Sequence, residues 1–173
     1  KKSIAYELCQ NKVLGIGSTS RVVEAISIEN SEKVACKIIS KHSLRDFKAD
    51  QLLQREIALM KHLSKINHPN IVTARAVAED AQYVYIFMDL VQGFDLCALL
   101  EKYVNRGMSE REAQFYFRQM VDALVHCHSQ GVAHRDVKLE NFMVDVNTKT
   151  LKLCDFGLGD FLFADRKSVD ETE

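Results

Sequence analysis

Residues 134–141 read HRDVKLEN and place acidic, basic and amide side chains between two apolar stretches, GVA and FMV. Asp136 and Asn141 lie in a segment that is too short and too polar to form a helix. Both side chains can therefore face one cleft from a loop that buried strands hold in place. A further acid, Asp155, follows the apolar run LKLC. Because Mg²⁺ prefers such oxygen ligands and combines one or two protein carboxylates with substrate phosphates, the pattern indicates a magnesium–phosphate site.

A lysine and a glutamate form a second candidate pair. The segment VACK ends with Lys37 on an otherwise apolar strand, where a buried ammonium group is costly unless it contacts an anion. Strand alternation could instead direct Lys37 to solvent. Glu56 lies between Leu53 and Ile57 on a predicted helix, near the face that should pack against the sheet. If both side chains enter one gap, the pair can hold a phosphate oxygen.

The segment GIGSTSRV lies between two predicted strands, so its glycines can form a tight turn whose backbone N–H groups approach a phosphate. A Rossmann site would require a helix after the glycines, and a Walker P-loop would require Gly-Lys-Ser/Thr. The sequence has neither feature. Taken alone, this segment is more simply interpreted as an ordinary hairpin.

The first half of the chain has the hydrophobic pattern of strands. Before about residue 90, five β-branched or alternating runs predict a largely antiparallel five-stranded sheet. The runs are YELCQNKVLGIG, RVVEAISI, KVACKII, IVTARAVA and YVYIFMDL. The segment DQLLQREIALMKHLSKI, with Leu53, Ile57 and Met60 at helical spacing, predicts one helix between the third and fourth strands.

The second half has a helical pattern. FDLCALLEKYVN predicts a helix that ends at Gly107, and residues 109–130 predict a longer amphipathic helix. Ser109 and Glu112 have the spacing of a capping box, and Gly131 is well placed to end the helix.

Composition excludes several classes of protein. The 173 residues are 47% hydrophobic and 27% charged, which is typical of a soluble globular protein. No apolar run approaches the roughly 20 residues of a transmembrane helix, and the near-zero net charge argues against a nucleic-acid or anionic-membrane partner. Five scattered cysteines without a C-x-x-C pair suggest neither zinc nor disulfides, so we expect a cytoplasmic or nuclear location.

Taken in order, GIGSTSRV, VACK, Glu56, HRDVKLEN and the DFG that begins at Asp155 resemble the signature set of the protein kinases over essentially the whole chain. The resemblance implies an α+β, bilobal protein-kinase-like fold. It would have a complete N-lobe, with a five-stranded antiparallel sheet plus one helix, and a partial helical C-lobe. The implied boundaries are 1–88 for the N-lobe, 89–92 for the hinge and 93–173 for a partial C-lobe that ends in the activation segment.

The resemblance also implies catalytic roles, in a reaction that depends mainly on positioning and charge stabilisation. Asp136 would accept the proton of the substrate hydroxyl. Lys138 would neutralise the transferring γ-phosphate of ATP. Asn141 and Asp155 would bind Mg²⁺, and His134 would be a packed, hydrogen-bonded residue.

For ATP, the resemblance implies that Lys37, oriented by Glu56, holds the α- and β-phosphates. Met88 would be the gatekeeper beside the adenine, the backbone of residues 89–91 would bind the adenine edge, and Asp95 would lie near the ribose. The implied nucleotide-binding residues are Leu14, Gly15, Ile16, Gly17, Ser18, Val22, Ala35, Lys37, Met88, Asp89, Val91, Asp95 and Met143.

Some features qualify the resemblance. Lys138, two residues after Asp136, is similar to the Ser/Thr class, and HRDVKLEN is similar to the calcium/calmodulin-dependent and AMP-activated kinase group. Ser20 replaces the third glycine of the glycine-rich loop, which restricts positive φ. Pro69 is the only proline, so no A-P-E motif follows DFG. We therefore expect a fragment, a truncated gene product or a divergent member that something else completes.

Two further expectations concern surfaces. The predicted helix 109–130 carries apolar residues on more than one face, and the resemblance implies that a partner or a missing C-lobe segment covers one of them. Arg135 is implied to bind a phosphate on the activation segment, where Ser168 and Thr172 are the hydroxyls within reach.

Three functions compete. The first is ATP- and Mg²⁺-dependent transfer of the γ-phosphate to Ser/Thr of protein substrates. The second is a pseudokinase-like nucleotide-binding or scaffold module without phosphotransfer. Intact Lys37, Asp136 and Asp155 weigh against it, whereas the expected truncation weighs for it. The third is a kinase for small molecules such as choline or aminoglycosides, which Lys138 and the DFG spacing disfavour.

Overall fold

A computed structural model of the chain describes residues 6–17, 19–44, 47–104 and 107–162. The first half forms one sheet in the order β1-β2-β3-β5-β4, in which all neighbouring strands are antiparallel. These strands are β1 (Tyr6–Ile16), β2 (Ser20–Ser27), β3 (Lys33–Ser40), β4 (Ala74–Glu79) and β5 (Tyr83–Asp89). The predicted five-stranded antiparallel sheet is confirmed.

One α-helix, α1 (Phe47–Ser64), lies between β3 and β4 in the chain, as predicted, and a short 3-10 helix (Lys41–Leu44) precedes it. Its Leu53, Ile57 and Met60 are buried in the core that the helix shares with the sheet. The three residues lie on one face because they recur at helical spacing. This packing fixes the face of α1 that meets β3.

The second half combines short strands with two α-helices and one 3-10 helix (Leu139–Asn141) among the described residues. The 3-10 helix lies within HRDVKLEN, where no helix was predicted, because one short turn is enough to form it. Two small antiparallel sheets form, in the orders β6-β8-β9 and β10-β7. The elements are β6 (Gly93–Asp95), α2 (Leu96–Glu101), α3 (Glu110–Ser129), β7 (Val132–Ala133), β8 (Phe142–Asp145), β9 (Leu151–Leu153) and β10 (Asp160–Phe161). The architecture is α+β, as predicted.

Two predicted elements have wrong boundaries. The run IVTARAVA yields β4 only from Ala74, because the Val72 N–H donates to the Leu153 carbonyl and the Leu153 N–H donates to the Asn70 carbonyl. These residues therefore pair with β9 instead of β5. The helix predicted from FDLCALLEKYVN begins only at Leu96, because Phe94 and Asp95 pair with β8. It ends at Glu101, because the three residues that follow it form tighter i→i−3 turns.

The caps of α3 are confirmed. The Ser109 hydroxyl accepts the Glu112 N–H, and the Glu112 carboxylate accepts the Ser109 N–H, so both halves of the capping box are present. At the other end, Gly131 has a φ of +68°, the left-handed conformation that glycine adopts without strain. The caps fix where α3 ends and the HRDVKLEN loop begins.

The core has two parts. The larger part joins α1, the inner face of the five-stranded sheet, α3 and the short strands of the second half. The smaller part covers the outer face of the sheet, where Tyr6 stacks on Phe87 with ring centroids 4.1 Å apart. Strand alternation therefore directs Val34 and Cys36 of β3 outward and leaves Lys37 for the inner face.

The lobe boundaries inferred from the resemblance stay a prediction.

In the described part of the chain, no helix is both long and apolar enough to cross a membrane.

Candidate active site

Three charged side chains meet where β3, α1 and the segment after β9 converge. The Lys37 ammonium donates to Glu56 Oε1 at 2.6 Å and to Asp155 Oδ1 at 3.4 Å. Lys37 and Glu56 are mostly buried, with side chains 18% and 8% exposed. Strand alternation and helical periodicity thus direct the lysine and the glutamate into the same gap.

Lys37 remains a cation in this gap. Burial lowers the pKa of its ammonium, but the Glu56 and Asp155 carboxylates outweigh that effect and raise the pKa above 10.5. An ammonium group has three N–H donors, and these two carboxylates use two of them. The third can bind a further anion such as a phosphate oxygen.

A second cluster lies in the HRDVKLEN loop. Lys138 Nζ donates to Asp136 Oδ2 at 2.7 Å, and Asn141 Nδ2 donates to the same oxygen at 3.0 Å. The hydrogen bond from Lys138, then the one from Asn141, lowers the pKa of Asp136. In return, the hydrogen bond to Asp136 raises the pKa of Lys138. At neutral pH the cluster therefore presents an ionised carboxylate beside a cation.

Backbone contacts join the two clusters. The Cys154 N–H donates to the Asn141 carbonyl at 2.9 Å, which places Asp155 directly beside the loop. His134, 1% exposed, accepts the Asp136 N–H on Nδ1 at 3.3 Å, and its Nε2 lies 2.9 Å from the Cys154 carbonyl. Because Nδ1 accepts, Nε2 carries the proton and donates to Cys154. His134 therefore orders the loop and is not placed to act as a base.

Two residues of the site have unusual backbone conformations. Arg135 and Asp155 have φ angles of 63° and 62°, in the left-handed region that disfavours side chains with a Cβ. Such conformations cost about 1–3 kcal/mol each and persist only where surrounding contacts hold them. Arg135 directly precedes Asp136, and Asp155 is itself part of the Lys37 cluster, so each charged cluster has one such residue in or next to it.

Several predicted nucleotide-binding residues face one another in the sheets. Val22 lies opposite Lys37 across β2 and β3, and Ala35 lies opposite Met88 across β3 and β5. Ala35 is buried, and Met88 packs against the larger part of the core. The register thus places small and apolar side chains beside the Lys37 cluster, where an adenine ring could lie.

Two predicted acids already have partners in the fold. Asp89 accepts from Arg75 Nε at 2.7 Å and from Lys152 Nζ at 3.2 Å. Asp95 caps the first turn of α2 through Oδ1 and lies opposite Met143 across β6 and β8. The Asp89 N–H also donates to the Thr73 carbonyl at 3.1 Å, so the backbone contact that the resemblance implies for Asp89 would fall to its carbonyl.

The glycine-containing turn between β1 and β2 begins next to the Lys37 cluster, because Gly15 lies opposite Val22, which in turn lies opposite Lys37. The Gly17 N–H donates to the Ser20 carbonyl at 2.8 Å, which closes a tight turn. Leu14 and Ile16 before it are exposed. Ser18 lies outside the described residues, as do Ser168 and Thr172. None of the described hydrogen bonds or ion pairs joins a charged cluster to Leu14, Gly15, Ile16, Gly17 or Val91.

The donor atoms fit Mg²⁺ bound together with phosphate. Asn141 uses its amide nitrogen on Asp136, so its amide oxygen is left to act as a ligand. Asp155 contacts Lys37 through Oδ1 and can offer Oδ2. Among the described residues, no group of three or more His, Cys, Asp and Glu could hold a metal ion. Two protein ligands completed by phosphate oxygens is the usual arrangement for Mg²⁺.

The outer face of α3 is apolar and exposed. Phe117, Val121 and Val125 recur at helical spacing and are 63%, 39% and 60% exposed, whereas Ala123 and Cys127 on the inner face are fully buried. What covers this face stays a prediction.

Sequence patterns missed two charged residues near the site, Asp160 and Arg55. Asp160 of β10 contacts Arg135, the residue before Asp136, and Arg55, the residue before Glu56. Asp160 lies in the irregular segment that follows DFG, so no periodicity indicated where its side chain points. Only the charge of Arg55, next to Glu56 on α1, could have suggested a further contact.

Comparison with known proteins gives a consistent result. A family model described as the protein kinase domain matches residues 8–172. The chain is 37% identical over 153 residues to CBL-interacting protein kinase 31 of Oryza sativa subsp. japonica, and the aligned region covers 88% of this chain and 32% of that protein. It is 39% identical over 154 residues to CBL-interacting serine/threonine-protein kinase 3 of Arabidopsis thaliana, covering 88% and 33%. The chain therefore spans about a third of the length of these curated relatives.

Proposed function

Because this chain belongs to the protein kinase domain family, we propose that it forms the nucleotide-binding part of an enzyme that transfers the γ-phosphate of ATP to Ser/Thr of protein substrates. The contact among Lys37, Glu56 and Asp155 carries this proposal. It brings together residues that are far apart in the chain. It also leaves the third N–H of the Lys37 ammonium able to bind an anion such as a phosphate oxygen.

The phosphates would bind between the two clusters. The Lys37 ammonium, held by Glu56, would contact the α- and β-phosphates. Asn141 and Asp155 would hold Mg²⁺, which neutralises the charge that develops on the transferred phosphoryl group. Lys138, held by Asp136, would contact the γ-phosphate. Each residue acts by position and charge, which is what phosphoryl transfer requires of a protein.

Asp136 would receive the proton of the substrate hydroxyl. Its lowered pKa makes it a weak base in the ground state, but it keeps the carboxylate ionised and able to accept a hydrogen bond from that hydroxyl. The hydrogen bonds from Lys138 and Asn141 fix its orientation. Its role would therefore be mainly to align the hydroxyl for attack, with proton acceptance late in the reaction.

The substrate class rests on two observations. Lys138 follows Asp136 at the spacing that resembles the Ser/Thr class, and relatives are named serine/threonine-protein kinases. From the relatives we extend to this chain only the Ser/Thr substrate class. We also propose a cytoplasmic or nuclear location and no nucleic-acid partner. The near-neutral net charge and scattered cysteines support those two proposals.

A phosphotransfer assay on the complete protein that contains this chain tests the proposal. With [γ-³²P]ATP, Mg²⁺ and a Ser/Thr peptide library, we expect label on serine or threonine that disappears in Lys37→Met and Asp136→Asn. Mg-ATP binding without transfer, in every peptide pool, would instead assign the nucleotide-binding scaffold function. Transfer that survives both substitutions would show that the activity comes from a contaminant.

A further inference from the structure

Asp160 joins two arginines that come from distant parts of the chain. Its Oδ2 lies 2.8 Å from Nη1 of Arg135 and 3.3 Å from Nη1 of Arg55. The Asp160 side chain is only 20% exposed. One carboxylate oxygen therefore serves two guanidinium groups, and although the Arg55 and Arg135 side chains are 43% and 53% exposed, the carboxylate between them is shielded from solvent.

The surrounding fold holds Asp160 in this position. β10 pairs with β7, with Asp160 opposite Ala133. Gly159 lies so close to α1 that an added Cβ would be 2.9 Å from Leu59 Cδ1. The next residue, Phe161, makes an edge contact with His62 of α1. The carboxylate is thus held between α1 and the end of β7, the strand that directly precedes the HRDVKLEN loop.

Each arginine directly precedes a residue of the candidate site. Arg55 comes before Glu56, which holds Lys37, and Arg135 comes before Asp136. Arg135 also has the left-handed φ of 63°, which requires outside contacts to persist. Without an anion between them, the two guanidinium groups would repel each other across the joint between α1 and the loop.

We propose that Asp160 is a positioning residue, whose carboxylate holds Arg55 and Arg135 together and thereby fixes Glu56 and Asp136 without a phosphate group. The proposal rests on the phosphotransfer function proposed above. In this arrangement Asp160 already supplies the anion for Arg135 that the resemblance assigned to an activation-segment phosphate. The consequence is an enzyme whose turnover does not require a phosphate on that segment.

The test compares variants of the complete protein after phosphatase treatment, with mass spectrometry to show that no phosphate remains. We expect the wild type to retain turnover, and Asp160→Asn to lose about 10- to 100-fold in kcat at saturating Mg-ATP. Asp160→Glu, which keeps the carboxylate, should recover most of the loss. Asp50→Asn, an exposed acid on the same helix as Arg55, is the matched control and should turn over like the wild type.

A second variant separates positioning from mere stability. Arg55→Gln removes only the contact on the α1 side, leaves the pair of Asp160 with Arg135 in place, and serves if Asp160→Asn does not fold. We expect its kcat loss to be smaller than that of Asp160→Asn, and the Asp160→Asn/Arg55→Gln double variant to lose no more than Asp160→Asn alone, because Asp160→Asn already breaks the contact with Arg55. Additive losses, or losses that follow only the melting temperature and are not recovered by Asp160→Glu, would overturn the proposal.

Three further outcomes are decisive. A kcat for Asp160→Asn within twofold of the wild type would overturn the positioning role. Turnover by the wild type only when it is phosphorylated would also overturn it, while leaving the phosphotransfer function intact. A wild type inactive in both states would overturn the phosphotransfer function and this proposal together.

Discussion

The cleft beside β3 and the outer face of α3 differ in how many contacts their side chains make within the described chain. In the cleft, Lys37 and Asp136 each bind two partners, and the segments that carry them are joined by further hydrogen bonds. On α3, Phe117 and Val125 expose most of their apolar surface. The arrangement of the site is therefore held by hydrogen bonds and ion pairs within the cleft itself. The α3 face contributes little to that arrangement as it stands.

The largest expected effect breaks the cleft at its proposed base. Asp136→Asn should lower kcat of the complete protein roughly 10²–10⁴-fold, because the amide cannot accept the hydroxyl proton. The Mg-ATP dissociation constant, measured by calorimetry, should change little, because an asparagine at this position still offers an amide oxygen to Asn141, and none of the described hydrogen bonds joins Asp136 to the Lys37 cluster. Unchanged turnover would contradict the assigned role.

The next prediction compares two phenylalanines, one in each environment. Phe142→Ala should cost about 3–5 kcal/mol in the free energy of unfolding, because Phe142 is fully buried in the core below the cleft. Phe117→Ala should change it by about 0.5 kcal/mol or less, since Phe117 is 63% exposed. Urea unfolding of the chain measures both. A large cost at Phe117 would show that the α3 face is covered in solution.

A smaller effect is expected from the ion pair on α1. Glu56→Gln should weaken Mg-ATP binding by about tenfold, because a partly buried Lys37 loses the carboxylate that orients it. The matched control is Glu79→Gln, which breaks the exposed pair of Glu79 with Lys41 at 2.7 Å. Exposed pairs contribute about 0–1 kcal/mol, so the control should bind Mg-ATP like the wild type. Equal effects of the two substitutions would remove the special role of Glu56.

The smallest effect concerns pH, at the joint between the two regions. His68 stacks on His126 of α3 with ring centroids 4.5 Å apart. Burial, then the neighbouring His126, lowers the pKa of His68 below 6.5, with Lys152 acting in the same direction and Asp122 opposing it. The unfolded chain therefore binds the proton first as the pH falls.

Stability should accordingly be fully present above pH 6.5 and decline as the pH falls from 6.5 through the lower pKa of folded His68. Melting temperatures between pH 7.5 and 5 measure this decline. His68→Gln should flatten the curve in that window. A variant curve parallel to that of the wild type would assign the decline to other groups.

Sequence patterns reached the cleft better than its surroundings. Lys37 and Glu56 could be paired because alternation along β3 and periodicity along α1 each fix a face, and the two faces must meet. Asp136, Asn141 and Asp155 could be grouped because short polar segments follow buried runs. The motifs that carried the resemblance lie at these same positions.

Tertiary contacts between distant irregular segments could not be predicted. Asp160 lies 105 residues from Arg55, on a strand of two residues that is too short to show alternation. The late start of β4 and the early end of α2 have the same origin. In both places, hydrogen bonds to other segments or tighter turns outweighed a local hydrophobic pattern that fitted the predicted element.

The most direct measurement is calorimetric titration of the 173-residue chain with ATP, with and without Mg²⁺. Lys37→Met and Asp155→Asn each remove one member of the Lys37 cluster and are titrated alongside. If the cleft is arranged for a magnesium–nucleotide complex, the wild type binds ATP more tightly with Mg²⁺, and Asp155→Asn loses that increment. Lys37→Met should weaken binding in both conditions. Equal affinity of all three proteins, or affinity indifferent to Mg²⁺ in the wild type, would contradict the account.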